Sequence, residues 1–329
     1  SVVPSRDESG HGTALAGIAA GTSDQPEAFT GAAPGSGILC VKLKPAKQYL
    51  RDWFLAAPQA EVYQENDIIA GFAYLIQTAE LLRMPLIICL ALGTNQGGHS
   101  GALPLSSVLN RYGDLPGIVP VAACGGEAGR SHHYFPNIPS EQEYDNVEIL
   151  VPENSRGFLC EIWGQAPQKL SVGFRSPVGE TIPRIPITLQ QSEKIEFALE
   201  ETEIQIEYNL ILPSSGSQLI LMRFARPTPG IWEVHVYSSD GDKSDYHMWL
   251  PMERFSDPDI TFLTPDPYTT LTAPSDAEAI LSVGTYQSSD SSLWSYSGRG
   301  FTRLSDIKPD IAAPGVSVTA PGPAGSYIR

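Results

Sequence analysis

Gly10-His11-Gly12-Thr13-Ala14-Leu15-Ala16-Gly17-Ile18-Ala19-Ala20-Gly21 sets one histidine at the mouth of a run of small residues with helical character. An imidazole placed there stays accessible, while glycine and alanine beneath it let a helix approach its neighbours closely. A lone histidine is more often a satisfied polar group than a base, so the surrounding segments decide its reading. Downstream, to about residue 140, short apolar runs such as 37–43 and 85–92 alternate with helical segments. Ile68, Ile69, Phe72, Leu75, Ile76 and Ala79 recur at three- and four-residue steps, which predicts a helix over Asn66 to Arg83 with one buried face. Strand runs that lack strict alternation predict a parallel sheet buried on both faces.

From about Glu143 to Pro267 the texture changes to short alternating strands, as in residues 194–199 and 202–208. Turn clusters such as Pro213-Ser214-Ser215-Gly216 separate them, the pattern of an all-β sandwich with one face in solvent. After Pro274 the first texture returns with the apolar strand Ala279 to Tyr286 and then Asp310-Ile311-Ala312-Ala313-Pro314-Gly315. The expected organisation is therefore an α/β domain (1–142 and 271–329) interrupted by an inserted β domain (143–270).

Composition narrows the function classes. The 329 residues carry Lys+Arg 21 against Asp+Glu 37, a net charge of −16, and no basic cluster of the kind a phosphate backbone requires, which argues against nucleic acid as a partner. The longest apolar stretch, Leu86 to Leu92, is far below the roughly 20 residues that cross a bilayer, so no membrane partner is expected. Cys40, Cys89, Cys124 and Cys160 show neither ligand spacing nor a disulfide framework and read as buried small apolar side chains. No metal or other cofactor is expected.

The His-Gly-Thr junction and its Gly/Ala helix resemble the segment around the general base of subtilisin-like serine peptidases, and further segments follow in that family's order. Gly31-Ala32-Ala33-Pro34 with residues 38–43 is similar to the G-x-A-P turn and the strand after it. Leu90-Ala91-Leu92-Gly93 resembles the S-L-G strand that pairs with an extended substrate. Val119-Pro120-Val121-Ala122-Ala123-Cys124-Gly125-Gly126-Glu127 is similar to the V-A-A-G-N-E strand and oxyanion turn. Residues 279–286 and 308–315 resemble the two segments that lead to the nucleophile. Within the family, the Leu-Gly-Thr-Asn-Gln-Gly-Gly-His continuation (92–99), His132-His133-Tyr134 and the β insert most resemble the clostridial spore-germination proteases called Csp.

The resemblance implies a three-layer subtilase domain with a jelly-roll insert, a polypeptide substrate and an extracellular or spore-associated setting, and it allows a propeptide in the parent protein. It assigns His11 as catalytic base. Leu90, Ala91, Leu92 and Gly93 form one substrate wall and Ala123, Cys124 and Gly125 the other, with a pocket between them for the residue before the scissile bond. Three features depart from the pattern. Asp7 matches the loop before the histidine rather than the family's D-[ST]-G motif, and Ser326 lacks the G-T-S-x-A frame. The expectation is that the chain is a piece of a longer protein and inert alone. Gly126 stands where the family has the oxyanion-hole asparagine, a donor whose loss in subtilisin costs about 100- to 1000-fold in turnover. That substitution, with Ala91 in place of serine, supports a second reading as a pseudoprotease that binds peptide.

Other residues invite a function and are read plainly. His132-His133-Tyr134 is expected to be local loop structure rather than a metal or pH site. The run Ser238-Ser239-Asp240-Gly241-Asp242 with Asp245 is read as a hairpin turn rather than a calcium loop. Trp163, Trp232 and Trp249 are read as core rather than a carbohydrate-stacking face, although an insert that itself binds a ligand is a third functional reading.

Overall fold

The computed structural model describes residues 5–22, 29–136, 143–187, 192–239, 245–322 and 326–328. Its helices are α1 (His11–Ala20), α2 (Gln48–Trp53), α3 (Glu65–Leu82) and α4 (Pro104–Gly113). The first strands are β1 (Leu86–Leu90), β2 (Ile118–Ala123), β3 (His133–Tyr134), β4 (Asp145–Val151), β5 (Gly157–Gln165), β6 (Leu170–Arg175), β7 (Thr181–Ile182) and β8 (Ser192–Glu196). Then come β9 (Glu203–Asn209), β10 (Ser217–Ala225), β11 (Gly230–Ser238), β12 (Tyr246–Trp249), β13 (Thr261–Phe262), β14 (Leu281–Tyr286), β15 (Ile311–Pro314), β16 (Ala320–Pro321) and β17 (Tyr327–Ile328).

Four strands in the order β1-β2-β14-β15 form a parallel sheet. Phe72, Ile76 and Ala79 of α3 and Leu105 and Leu109 of α4 pack with Leu86, Ile88 and Leu90 of β1 in one apolar core. The helical spacing read from the sequence thus lands on α3, and it buries the predicted face. Two other expectations fail. The sheet is covered on one face only: Ile88 is 4% exposed and its neighbour Ile87 is 73% exposed, with Val119 and Ile311 also open. α3 and α4 share one side of the sheet, and α1 packs on β16 instead, where a Cβ on Gly17 would lie 2.5 Å from Pro321 Cδ. Among the described residues the α/β part therefore has two layers rather than three. Cys89 sits on the open face and is exposed, as is Cys40; only Cys124 and Cys160 are buried as expected.

Residues 37–43, expected as a strand, join no ladder among the described residues. Their side chains still alternate, Leu39, Val41 and Leu43 inward and Ile38, Cys40 and Lys42 outward. Leu39 packs against the apolar core, and Val41 lies beside Gly71 of α3. Alternation is a local property; a strand also needs a hydrogen-bonding neighbour, and β1 pairs with β2 alone.

The insert is two antiparallel sheets, β3-β12-β5-β10-β9-β8 and β13-β4-β11-β6-β7. Their inner faces share a single core that includes Phe158, Ile162, Phe174, Ile206, Met222, Phe224, Trp232 and Val234. β4 pairs with β11 in one sheet and β5 with β10 in the other, so the second half of the insert folds back over the first. β6–β7 and β8–β9–β10 are simple antiparallel meanders. The six-stranded sheet takes its edge strand β3 from residues that precede 143.

Candidate active site

His11 opens α1, entered through Gly10 in the left-handed region at φ 83°. Asp7 anchors that entrance. One carboxylate oxygen accepts the N–H groups of Ser9 (3.1 Å) and Gly10 (2.9 Å); the other accepts the N–H (2.8 Å) and hydroxyl (2.7 Å) of Thr13. The Thr13 hydroxyl, followed by these backbone donors, holds the Asp7 carboxyl down at about 2. Both oxygens are committed to the helix start, so Asp7 caps α1 and does not orient His11.

The exposed His11 ring reaches across to Ala91, with Nε2 3.3 Å from its carbonyl oxygen. A carbonyl only accepts, so Nε2 carries the proton in this contact. Acting as a base requires the other tautomer, with Nδ1–H held by an acceptor. His11 is thereby placed directly on the segment expected to bind substrate. Within that segment the residues divide. Leu90 is the last residue of β1, paired with Ala122, and its side chain is core. Ala91, Leu92 and Gly93 run on beyond the sheet, partly exposed. On the facing side Ala123 ends β2 and is exposed, Cys124 is buried, and Gly125 turns the chain at φ 85°. Burial raises the Cys124 thiol, so it offers no thiolate at neutral pH.

Sequence reading missed the residue that joins these two walls. Thr272 donates its N–H to Cys124 O (3.1 Å), and Ala273 exchanges two backbone hydrogen bonds with Thr94 (2.9 Å each). No local pattern marks Thr272; its role follows from contacts about 150 to 180 residues away. A second missed residue, Trp294, stands beside Gly126, at the turn expected to form the oxyanion hole. A Cβ on Gly126 would lie 3.4 Å from its ring atoms Cζ3 and Cη2, and these belong to the apolar edge of the indole. Trp294 continues into Tyr296 (centroids 5.4 Å apart), over whose ring Arg130 lies at 4.1 Å, held by Glu253 at 2.9 Å. Gly298 N–H to Gly125 O (3.0 Å) ties this loop to the turn.

The remaining candidates serve attachment. His132 bonds Glu127 through Nδ1 (2.6 Å) and Asp259 through Nε2 (3.1 Å). Burial opposes its charge, yet the hydrogen bonds to Asp259 and Glu127 prevail and lift it to about 9. Asn95 Nδ2 also donates to Glu127 (3.0 Å), so this carboxylate binds the groove segment and the insert's entrance together. His133 points elsewhere, with Nδ1 donating to Asp266 O (3.1 Å) and Nε2 accepting from His247 Nδ1 (2.9 Å). Burial keeps His133 down at about 3 and His247 at about 2, both neutral. Glu161 takes the N–H of Gly97 and the indole N–H of Trp163 (2.8 Å each), and Arg303 bridges Gly98 O and Ser217 Oγ (2.6 Å each). Trp163, Trp232 and Trp249 are buried, so they pack rather than present a stacking face. Ser326 lies in the β16–β17 hairpin, its carbonyl accepting from Gly322 N–H, and not at a helix start. Asp240, Gly241 and Asp242 lie outside the described residues. Among the described residues no three His, Cys, Asp or Glu side chains gather as metal ligands, and no helix is long and apolar enough to cross a membrane.

Residues 3–149 match the subtilase family. The matched stretch, somewhat under half of the chain, is subtilase-like. The CspB protease of Clostridium perfringens superposes with a TM-score of 0.85 over 99% of this chain at 23% identity, so the two share a fold that includes the insert. The chain spans 66% of that protein's length. Curated protein sequences contain no match.

Proposed function

We propose that this chain carries the substrate groove and the catalytic base of a subtilisin-like serine endopeptidase. The observation that supports this most is the meeting of His11 with Ala91: the histidine of one motif contacts a segment of another 80 residues away, one that with 123–125 would wall the groove. In this reading His11 takes the serine proton and returns it to the leaving amine, while a polypeptide substrate lies as an added strand between the walls. The D-[ST]-G and G-T-S-x-A motifs are not among these 329 residues, so the chain by itself is expected to be inert. The family resemblance and the CspB likeness favour an extracellular or spore-associated setting, with a propeptide in the full-length protein. The units are taken as 1–142, 143–270 and 271–329, and the nested pairing of β4 with β11 and β5 with β10 favours kinship of the insert with jelly rolls.

Gly126 favours a second reading, a pseudoprotease that retains the groove for binding. The apolar Trp294 edge beside Gly126 provides no replacement for the missing amide donor. Labelling of the full-length protein with a fluorophosphonate separates the two. The peptidase reading expects a labelled serine and loss of labelling in His11→Ala. An intact serine that never labels, or labelling indifferent to His11, supports the pseudoprotease.

A further inference from the structure

Glycines that line a groove ordinarily leave room for a ligand. Here the room is already taken. A Cβ built on Gly93 would fall 2.8 Å from Thr272 Cβ, and one built on Gly125 would fall 2.5 Å from Thr272 Cγ2 and 2.6 Å from its Oγ1. The two substrate walls are therefore one threonine side chain apart at this depth. Thr272 is only 2% exposed, closed over from both sides. It cannot slide away to admit something larger, because its N–H is held by Cys124 O (3.1 Å) and its carbonyl accepts both the N–H (2.9 Å) and the hydroxyl (2.7 Å) of Ser275. Ala273, the next residue, is paired in both directions with Thr94 on the opposite wall.

We propose that Thr272 fills the floor of the groove, so that the peptide residue seated between the walls is a small one: glycine, alanine or serine. This rests on the groove reading above and replaces the open pocket that the family resemblance implies. A branched or aromatic side chain would have to displace a threonine tied to both walls, and packed interiors resist even one extra methylene.

The test measures fluorescence anisotropy of labelled decapeptides that differ only in the central residue (Gly, Ala, Ser, Leu or Phe) with the 329-residue chain. The proteins are wild type, Thr272→Gly, Thr272→Ala and Thr272→Val, each checked for an unchanged melting curve. Wild type should prefer Ala over Phe by about 10-fold or more, the scale on which a pocket discriminates a few carbons. Thr272→Gly, or Thr272→Ala should Thr272→Gly fail to fold, should erase or reverse that ratio. Thr272→Val, equal in shape, should keep it. Wild type that takes Phe as readily as Ala, or a ratio unmoved in folded Thr272→Gly and Thr272→Ala, overturns the proposal and leaves the groove standing. Absence of binding by every peptide to every protein overturns the groove reading, and the proposal with it.

Discussion

The inner residues of the β sandwich, from Val147 and Ile149 through Phe174 to Trp232 and Val236, are shut from solvent on both sides of one core. In the parallel sheet, successive residues of a single strand differ as much as Ile88 and Ile87 do, 4% against 73% exposed. Each sheet of the sandwich likewise buries one face, but outward positions such as Glu203, Gln205 and Glu207 of β9 are polar, whereas the outward face of the parallel sheet carries Ile87, Val119 and Ile311. The proposed groove belongs to the α/β part. Its walls are steadied across the boundary by Glu127, Glu161 and Arg303, which bond residues 95, 97 and 98 beside the groove.

Replacing Trp232 by alanine removes a buried indole from the sandwich core, and a loss of about 3–5 kcal/mol is expected. Denaturant unfolding should show the sandwich transition falling towards that of the α/β half. A loss shared equally by both halves would mean that they fold as one unit.

The boundary histidines give the next effect. His132, lifted to about 9, contributes stability that is whole below its unfolded value near 6.5 and lost as pH rises through 9, about 3 kcal/mol in all. His133 and His247, held neutral at about 3 and 2, work in the opposite direction: the unfolded chain binds their protons first, so stability falls as pH drops below 6.5. Urea midpoints should peak near pH 6.5, and His132→Gln should flatten the alkaline limb alone. An alkaline limb unchanged in His132→Gln would mean that the His132 bonds to Glu127 and Asp259 do not stabilise the fold.

The apolar outward face of the parallel sheet should bind a hydrophobic dye and bring chains together in solution. Ile87→Glu, on an exposed position, should reduce the association seen by sedimentation while changing stability by no more than about 0.5 kcal/mol. Dye binding and association as strong in Ile87→Glu as in wild type would mean that another surface is responsible. The smallest effect is expected at Asp7. Asp7→Ala should speed hydrogen exchange at residues 9–13 and leave the sandwich unchanged, and the cap should be lost in wild type as pH falls through about 2.

Much of this was legible from local pattern. The periodicity of 68–79 places α3, and alternation marks β8 and β9. The motif that contains His11 meets the segment just after β1, at Ala91. What escaped was whatever depends on a partner distant in the chain. Residues 37–43 alternate as a strand does, but no ladder meets them. Ile87 and Val119 are as apolar as Ile88, so sequence records the face's preference for cover and not whether α3 and α4 supply it. Thr272 and Trp294 sit in segments with no signature, and their roles arise only when Gly93, Gly125 and Gly126 are folded against them.

Hydrogen exchange measured with and without a saturating alanine-rich decapeptide asks the central question directly, namely whether the working site is the groove of the α/β half. The account predicts new protection at residues 91–94 and 123–126, with none added in β4 to β12. Protection confined to the sandwich, with the groove unchanged, would contradict it and make the insert the binding module.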